Sequence, residues 1–326
     1  MKTIRINYVG FWSSFNKTNN LFYNILSKRY NVEISENPDY LIVSPLGKAY
    51  DYLKYNCVRI FYAGEEIVPD FNLFDYAIGF DDISFGDRYY RYPLCFFGEK
   101  TFWEKNVLSQ EKAKELMSQK EIFCNFIYNE DSIGGYRKKL FNALNKYKRV
   151  ESYGRYLNNV NGNGISYSQK HKVLKKSKFT IAVEGCNYAG VATEKITQPF
   201  EDHSVPIYFG NCNIGKDFNE NAFVNCHSCS SVENVVNRII EIDNNDELYL
   251  KMLTAPPLIS EDYSRKLFYG LERFLFSIFD QDLKDCKRIV DSNMSRIYKS
   301  NLQMTKRIMN SRIAQKGYDI VKGRKS

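Results

Sequence analysis

The sequence predicts an α/β protein of two doubly wound halves facing each other across a cleft, followed by a basic helical tail. Three observations predict it. Short apolar runs of strand length alternate with helix-spaced segments along most of the chain, the pattern of parallel sheets with crossover helices. Lys178 to Gly210, KFTIAVEGCNYAGVATEKITQPFEDHSVPIYFG, forms one complete strand–loop–helix–strand unit. The formal charge of +8 is concentrated at the end of the chain: residues 284–326 hold 12 Lys/Arg against 3 Asp/Glu, and the preceding 283 residues hold 34 against 35.

The elements follow in order. Residues 3–9 alternate like a first strand and stop at Gly10, and Phe22, Ile25, Leu26 and Tyr30 are spaced as one helix face. Strands are expected at 32–34 and 40–43, a brief helical segment near 50–55, a buried strand at Val58–Tyr62 and another over 75–80. Residues 97–120 turn charged and helical and read as the crossover between halves. The second half opens with a strand at 122–127 and a helix at 136–144, passes a turn region from Gly154 to Gly164, and reaches the unit described above. Its segment NNVNGNGIS (158–166) reads as a flexible surface loop. Helices near 232–242 and 264–279 close it. The resulting divisions are 1–120, 121–282 and 283–326.

With 326 residues, 25 Tyr and 23 Phe, the chain has ample material for a core in each half. No apolar run is long enough for a signal peptide or a membrane span. The eight cysteines are scattered through apolar contexts and read as reduced, buried residues. Cys226-His227-Ser228-Cys229 has half the ligands that a structural zinc site needs. In the tail, apolar residues recur every seven positions at Leu283, Val290, Ile297 and Met304, with Met294 and Ile308 on an adjoining row. That pattern describes an amphipathic cationic helix, broken near Gly317, suited to an anionic membrane face. The expected location is cytoplasmic and peripheral, and removal of 284–326 is expected to spare the catalytic body. Nucleic-acid binding is disfavoured, since neither aromatic interleaving nor a recognition motif accompanies the charge.

Chemistry concentrates around the 178–210 unit. Ligands of parallel sheets bind outside the carboxyl ends of the strands, where helix N-termini point at them. Thr193 is placed to cap the helix, and Lys195 puts a cation where acidic residues are usual, which points to an anionic ligand. Ala63-Gly64-Glu65-Glu66 follows a strand end, so a carboxylate faces the same kind of crevice. Spacing leaves open whether Glu65 or Glu66 is the reactive one, or whether both are turn residues. The three histidines lie in no nucleophile motif, and there is neither a Walker loop nor GxGxxG. The only Asp-x-Asp pair, Asp280-Gln281-Asp282, sits beside the tail and reads as a helix end.

VEGCNYAGVATEKITQPFEDHSVPIYFGN (183–211) resembles the donor-binding signature of the α1,3-fucosyltransferases: Phe-Glu-Asn, a Gly/Tyr-rich loop, Thr-Glu-Lys, a helix, and Pro-Ile-Tyr-Trp-Gly. The likeness continues at KDFNENAFVNC (216–226), FYAGEEIVPDFNLFDYAIGFDD (61–82) and DRYYRYPL (87–94), and it is strongest towards soluble bacterial members. It implies a B-type glycosyltransferase of two Rossmann-like domains, acceptor half first and GDP-fucose half second. It further implies a GDP-fucose donor, no required cofactor or metal, a lactosamine-type glycan acceptor, and single displacement with inversion. Glucose of lactose as acceptor and a 1,4 linkage are the near alternatives, and an inactive glycan- or nucleotide-binding module is the non-enzymatic one. On the family pattern Glu65 is the base. Arg137, in YRKKLFNAL (136–144), matches the phosphate-binding arginine, whereas taken alone, beside Lys138 and Lys139, it reads as a solvated charge. Lys195 joins it at the diphosphate, Glu194 touches ribose or fucose, and Glu184 is the Glu of Phe-Glu-Asn. The family's Asn and Tyr are replaced by Gly185 and Val191, so their contacts are expected from Asn187 or Tyr188. Pro199 inside the helix costs roughly 3 kcal/mol, and a kink or a late helix start is expected there.

Overall fold

The computed structural model describes residues 1–47, 50–97, 107–160, 162, 164–309 and 311. They form two compact units, each built on an all-parallel sheet. The first unit comprises Met1–Gly79, Ile83–Tyr92 and the chain from Tyr269 onward; the second comprises Phe80–Asp82 and Pro93–Phe268.

The first unit begins with β1 (Thr3–Val9), α1 (Leu21–Leu26), β2 (Asn31–Ile34), β3 (Tyr40–Val43), β4 (Val58–Tyr62), β5 (Tyr76–Gly79) and β6 (Tyr89–Arg91). Its strand order is β2-β1-β3-β4-β5-β6. Every residue of β3, β4 and β5 is buried, which is why these strands read as continuous apolar runs rather than alternating ones. β1 alternates only at its start, with Thr3 and Arg5 exposed and Ile4 and Ile6 buried. From β1 the sheet grows one way to β2 and the other way to β3. A doubly wound sheet opens a ligand crevice at that switch point. The helix face expected to reach Tyr30 is cut short: α1 stops at Leu26, although Tyr30 is itself buried.

The second unit holds α2 (Gln110–Ser118), β7 (Ile122–Phe126), α3 (Tyr136–Tyr147), β8 (Val150–Ser152), α4 (Tyr167–Lys176), β9 (Ser177–Val183), α5 (Glu194–Glu201), β10 (Val205–Phe209), β11 (Val224–Asn225), α6 (Val232–Asp243) and α7 (Asp246–Thr254). Its order, β11-β10-β9-β7-β8, repeats the first sheet's winding, with the switch point between β7 and β9. A core of Phe126, Leu140, Phe179, Ile207, Val235 and their neighbours fills the space between sheet and helices. The segment expected to be a free loop is partly structured. Asn159 donates its amide to Val150 O at 2.8 Å and accepts from Ser152 N at 2.8 Å, bonding the edge of β8 as a further strand would. Ser166 and Gln169 then form a reciprocal capping box that starts α4. Of the charged crossover, α2 is helical only from Gln110, and residues 98–106 lie outside those described. Pro199 neither delays nor interrupts α5. The helix starts at Glu194 and runs to Glu201, with the proline near its end, where a single bond is forgone.

Finally come α8 (Tyr263–Phe279) and α9 (Asn293–Met309). The end of α8 belongs to the first unit, because Phe274, Leu275, Ile278 and Phe279 are buried there and the Phe279 ring lies 4.3 Å from that of Tyr40. The divisions expected at 121, 282 and 283 are therefore not those of the compact units. The tail is also less separate than its charge suggests. Cys286 is fully buried, and the N–H groups of Arg288 and Ile289 donate to the buried Asp75 carboxylate at 2.8 and 3.2 Å. The seven-residue row is helical only from Asn293, since Leu283 lies in a 3-10 turn and Val290 precedes α9. Gly317 lies outside the described residues. Among the described residues no helix is long and apolar enough to cross a membrane.

Candidate functional site

The β7/β9 switch point is where the second unit gathers its charged groups. Backbone pairing between these strands ends at Asn125–Thr180. Beyond it the Tyr128 hydroxyl bridges the gap, donating to Ile181 O at 2.9 Å and accepting from Val183 N at 2.7 Å. Burial pushes that hydroxyl up to about 12, against the pull of Arg137 and Lys195. Tyr128 passed unnoticed in the sequence, because its role depends on two strands parting beside it.

Arg137 lies on the Tyr128 ring, its guanidinium carbon 4.1 Å from the centroid. Two left-handed glycines, Gly134 (φ 80°) and Gly135 (φ 71°), turn the chain into α3 and set Arg137 in its first turn. The side chain is 4% exposed, so it is not a solvated charge. It donates to Val183 O at 3.2 and 3.0 Å and to Glu130 O at 3.2 Å. Among the described residues no carboxylate pairs with it. A buried cation answered only by carbonyls and a ring is costly without an anion.

Glu184 follows β9 directly and continues the ladder by donating its N–H to Phe209 O at 2.8 Å. Its carboxylate is buried and accepts from Thr193 N at 2.9 Å and Thr193 Oγ1 at 2.7 Å, closing the loop 185–192 on itself. Room for it comes from Gly210, where a Cβ would stand 2.4 Å from Glu184 Cγ. Lys195 Nζ lies 3.4 Å from Glu184 Oε2, 3.3 Å from Glu194 Oε1 and 3.0 Å from Thr193 Oγ1. Burial alone would depress the Lys195 ammonium, but the two carboxylates outweigh it and hold its pKa above the usual lysine value. Burial raises Glu184, only partly opposed by Lys195. At Glu194 burial also raises the carboxyl, but Lys195 and Lys170 overcome it and the net shift is downward. Thr193 caps α5 as expected, accepting from Lys195 N. The expectation that only a ligand anion could justify Lys195 is corrected here: two of the chain's own carboxylates already face it.

The loops of these groups touch, with Ile133 N donating to Gly185 O at 3.0 Å. Arg137, Glu184, Glu194 and Lys195 are thus brought together. The two loop residues are not equivalent to them. Asn187 is exposed and makes no side-chain hydrogen bond within the described residues. Tyr188, 45% exposed, donates its hydroxyl to Asp81 Oδ1 at 2.9 Å and meets the Phe80 ring edge-on. A second residue that the sequence did not flag is the fully buried Asn211, whose Oδ1 accepts from Gly190 N at 2.7 Å and pins the loop. Cys226, His227 and Cys229 do not converge as ligands: among the described residues no group of three or more His, Cys, Asp or Glu side chains that could hold a metal occurs. Asp280, half of the Asp-x-Asp pair, accepts from Tyr30 Oη at 2.7 Å and pairs with Arg29 at 2.9 Å.

Glu65 belongs to the first unit. It is exposed, two residues beyond the last strand-ladder bond of β4, where Ala63 N donates to Ile78 O. Glu66 is exposed beside it. Ile67 N turns back to Glu65 O at 2.7 Å, so the two carboxylates ride on a tight turn at the carboxyl edge of the sheet.

Comparison with known proteins bears on these features. Residues 6–97 match the Alpha-(1,3)-fucosyltransferase FucT N-terminal domain, and residues 116–254 match Glycosyltransferase family 10 (fucosyltransferase) C-term. The chain is 30% identical over 302 residues to the alpha-(1,3)-fucosyltransferase FucT of Helicobacter pylori, covering 81% of this chain and 63% of that relative. A crystal structure of an alpha1,3-fucosyltransferase superposes with a TM-score of 0.71 at 29% identity, over 86% of this chain and 91% of the other. Another, described with GDP-fucose, gives a TM-score of 0.66 at 26% identity over 84% and 90%. These matches agree with the two parallel sheets, each a Rossmann-like α/β domain as expected. The chain belongs to the glycosyltransferase family 10 fucosyltransferases.

Proposed function

We propose that this chain is an inverting α1,3-fucosyltransferase, moving L-fucose from GDP-fucose to the 3-hydroxyl of N-acetylglucosamine in a lactosamine-type glycan. The observation that carries the reading is Arg137: a buried guanidinium without a carboxylate partner among the described residues, at a sheet switch point and a helix N-terminus. It retains N–H donors beyond those given to Val183 O and Glu130 O, and a guanidinium can grip two phosphate oxygens at once. Lys195 adds a second cation, locked in its charged form. The departing diphosphate is thereby stabilised by groups already in place, the cheapest form of electrostatic catalysis. Glu194 is offered to ribose or fucose, and Asn187 and Tyr188 to the nucleotide. Glu184 is a positioning residue, acting through Thr193 and Lys195 because both its oxygens are engaged.

Glu65 takes the proton of the acceptor hydroxyl as that oxygen attacks the fucose anomeric carbon and the bond to diphosphate breaks. One displacement inverts that carbon. In this account the cations perform the task that other glycosyltransferases give to a divalent metal. The tail contributes peripheral attachment to an anionic, cytoplasmic membrane face: Met294, Ile297, Met304 and Ile308 stand half or more exposed on α9 among Arg296, Lys299 and Arg307. The transferase reading is tested by incubating the protein with GDP-fucose and N-acetyllactosamine in EDTA and weighing the product. A fucosylated trisaccharide is expected; product only after a divalent metal is restored would overturn the assignment of the diphosphate to Arg137 and Lys195.

A further inference from the structure

The first sheet has a switch point of its own, between β1 and β3, and a cavity of about 340 Å³ opens there. It lies at the carboxyl ends of both strands, against Val9, Gly10, Val43 and Ser44. That volume falls within the roughly 300–1,000 Å³ of small-molecule sites. We propose that this cavity is a subsite for one pyranose ring of the acceptor glycan, and that α9 supplies its outer wall through Tyr298 and Leu302. The proposal rests on the reading of Glu65 as the base.

Position is the first argument. Ile67 and Val68, the residues after Glu65 and Glu66, line the cavity and are about half exposed. A Cβ on Gly64 would stand 2.7 Å from Ser44 Oγ, so the cavity's polar wall abuts the backbone that carries Glu65. An acceptor must be held within reach of its base, and this cavity adjoins it within the first unit.

Chemistry is the second. Tyr50, Tyr52, Phe61, Phe74 and Tyr298 line the space beside aliphatic residues, and its polar lining side chains are Ser44, Asp70 and the tyrosine hydroxyls. A pyranose presents C–H faces to rings and equatorial hydroxyls to a small number of partners, which matches that lining. Ser44 is 2% exposed, and its buried hydroxyl has no hydrogen-bond partner among the described residues. An unsatisfied buried hydroxyl is costly, and a sugar hydroxyl would satisfy it. A lipid chain or apolar aglycone would leave it stranded.

The wall from α9 is held from two sides. Tyr298 Oη donates to Asp70 Oδ2 at 2.5 Å, and Lys306 Nζ pairs with Asp51 at 2.8 Å. Leu302 lies one helical turn beyond Tyr298 on the same face. The C-terminal helix thus has two faces with separate tasks, the inner one at the cavity and the outer one exposed.

Two variants test this. Leu302→Trp fills the cavity from the α9 wall, where Leu302 is only partly buried, and Ser44→Ala removes the hydroxyl with little risk to folding. Leu302→Trp should raise the KM for N-acetyllactosamine about tenfold or more, the scale of a lost stacking contact, with the KM for GDP-fucose and its slow hydrolysis unchanged. Ser44→Ala should raise the acceptor KM severalfold at unchanged kcat. Unchanged acceptor KM in both, while wild type transfers fucose, overturns the subsite and leaves the transferase reading intact. An effect seen only with an octyl glycoside acceptor and not with the free disaccharide overturns the sugar as occupant. Saturation-transfer NMR with N-acetyllactosamine and no donor reads the cavity independently of turnover. Binding by wild type that is lost in Leu302→Trp, with no transfer by either, sustains the subsite and sinks the transferase reading.

Discussion

Replacing Arg137 by alanine should separate phosphate recognition from the rest of nucleotide binding. The guanidinium makes three hydrogen bonds to the carbonyls of Val183 and Glu130 and covers the Tyr128 ring, so the change has a structural cost as well as a functional one. Freeing two carbonyl groups from a charged donor should lower stability by roughly 1.5–3 kcal/mol, partly offset because an unpaired buried cation disappears. A single charge-assisted contact to diphosphate is worth a similar amount, which at 1.4 kcal/mol per tenfold weakens GDP roughly 10- to 150-fold. The assay is titration calorimetry of GDP and of guanosine, run well below the variant's melting temperature. GDP affinity should fall by that factor while guanosine affinity barely moves. Arg137→Lys should recover only part of the loss, since an ammonium cannot span two oxygens. Equal losses for GDP and guanosine would show that the variant has merely collapsed the loop, and unchanged GDP binding would refute the phosphate role outright.

The other predictions concern the loop clamp, the tail and acid stability. Glu184→Gln should raise the KM for GDP-fucose and release Thr193 and Lys195, with Lys195 losing the carboxylate that helps keep it charged; a wild-type KM would mean that the clamp is dispensable. Ile297→Ser, Met304→Ser and Ile308→Ser together should abolish sedimentation with anionic liposomes and leave transfer to a soluble disaccharide intact, because all three side chains are more than half exposed; equal sedimentation would count against attachment. Truncation before Lys284 is the wrong test, since it strips the backbone donors from Asp75 and removes the buried Cys286. His203 is held down to about 4, chiefly by burial and then by Lys120 and Lys175. Between its unfolded value near 6.5 and about 4 the unfolded chain takes up a proton that the folded one refuses, so stability should fall as pH drops through that window. After allowance for solvent screening the loss by pH 5 is of order 1 kcal/mol. His203→Asn, which suits the φ of 54° there, should flatten denaturation midpoints between pH 7 and pH 5; an unchanged slope would assign the acid sensitivity elsewhere.

Elements that are buried on both faces, or that carry a local signal, were plain in the sequence. β4, β9 and β10 announce themselves as apolar runs, and α5 by its Thr193 cap. What stayed hidden depends on partners far along the chain. β6 and β8 are three-residue edge strands that exist only by pairing with β5 and β7. α4 is strongly polar with one buried residue, Leu174, so its periodicity is faint and only the capping box marks it. The return of α8 to the first unit, and the anchoring of Arg288 and Ile289 on Asp75, cannot be read from residues two hundred positions apart. The same holds within the site. Lys195 and Arg137 were legible as cations, but that, among the described residues, one faces two carboxylates and the other none is a matter of packing. The identical winding of the two sheets left no sequence repeat, because strand order is set by connections rather than by residue identity.

The most direct test of the account is product analysis by NMR, with the Glu65→Gln and Glu66→Gln variants run beside the wild type. The wild type should convert GDP-fucose and N-acetyllactosamine to a single trisaccharide bearing α-fucose on the 3-oxygen of N-acetylglucosamine, the inverted product of a β-linked donor. Glu65→Gln should form it at least about a hundredfold more slowly, the scale of a lost general base, while binding GDP as well as the wild type does; Glu66→Gln should be mild. A β-linked product, or a Glu65→Gln variant that transfers normally while Glu66→Gln fails, would contradict the mechanism.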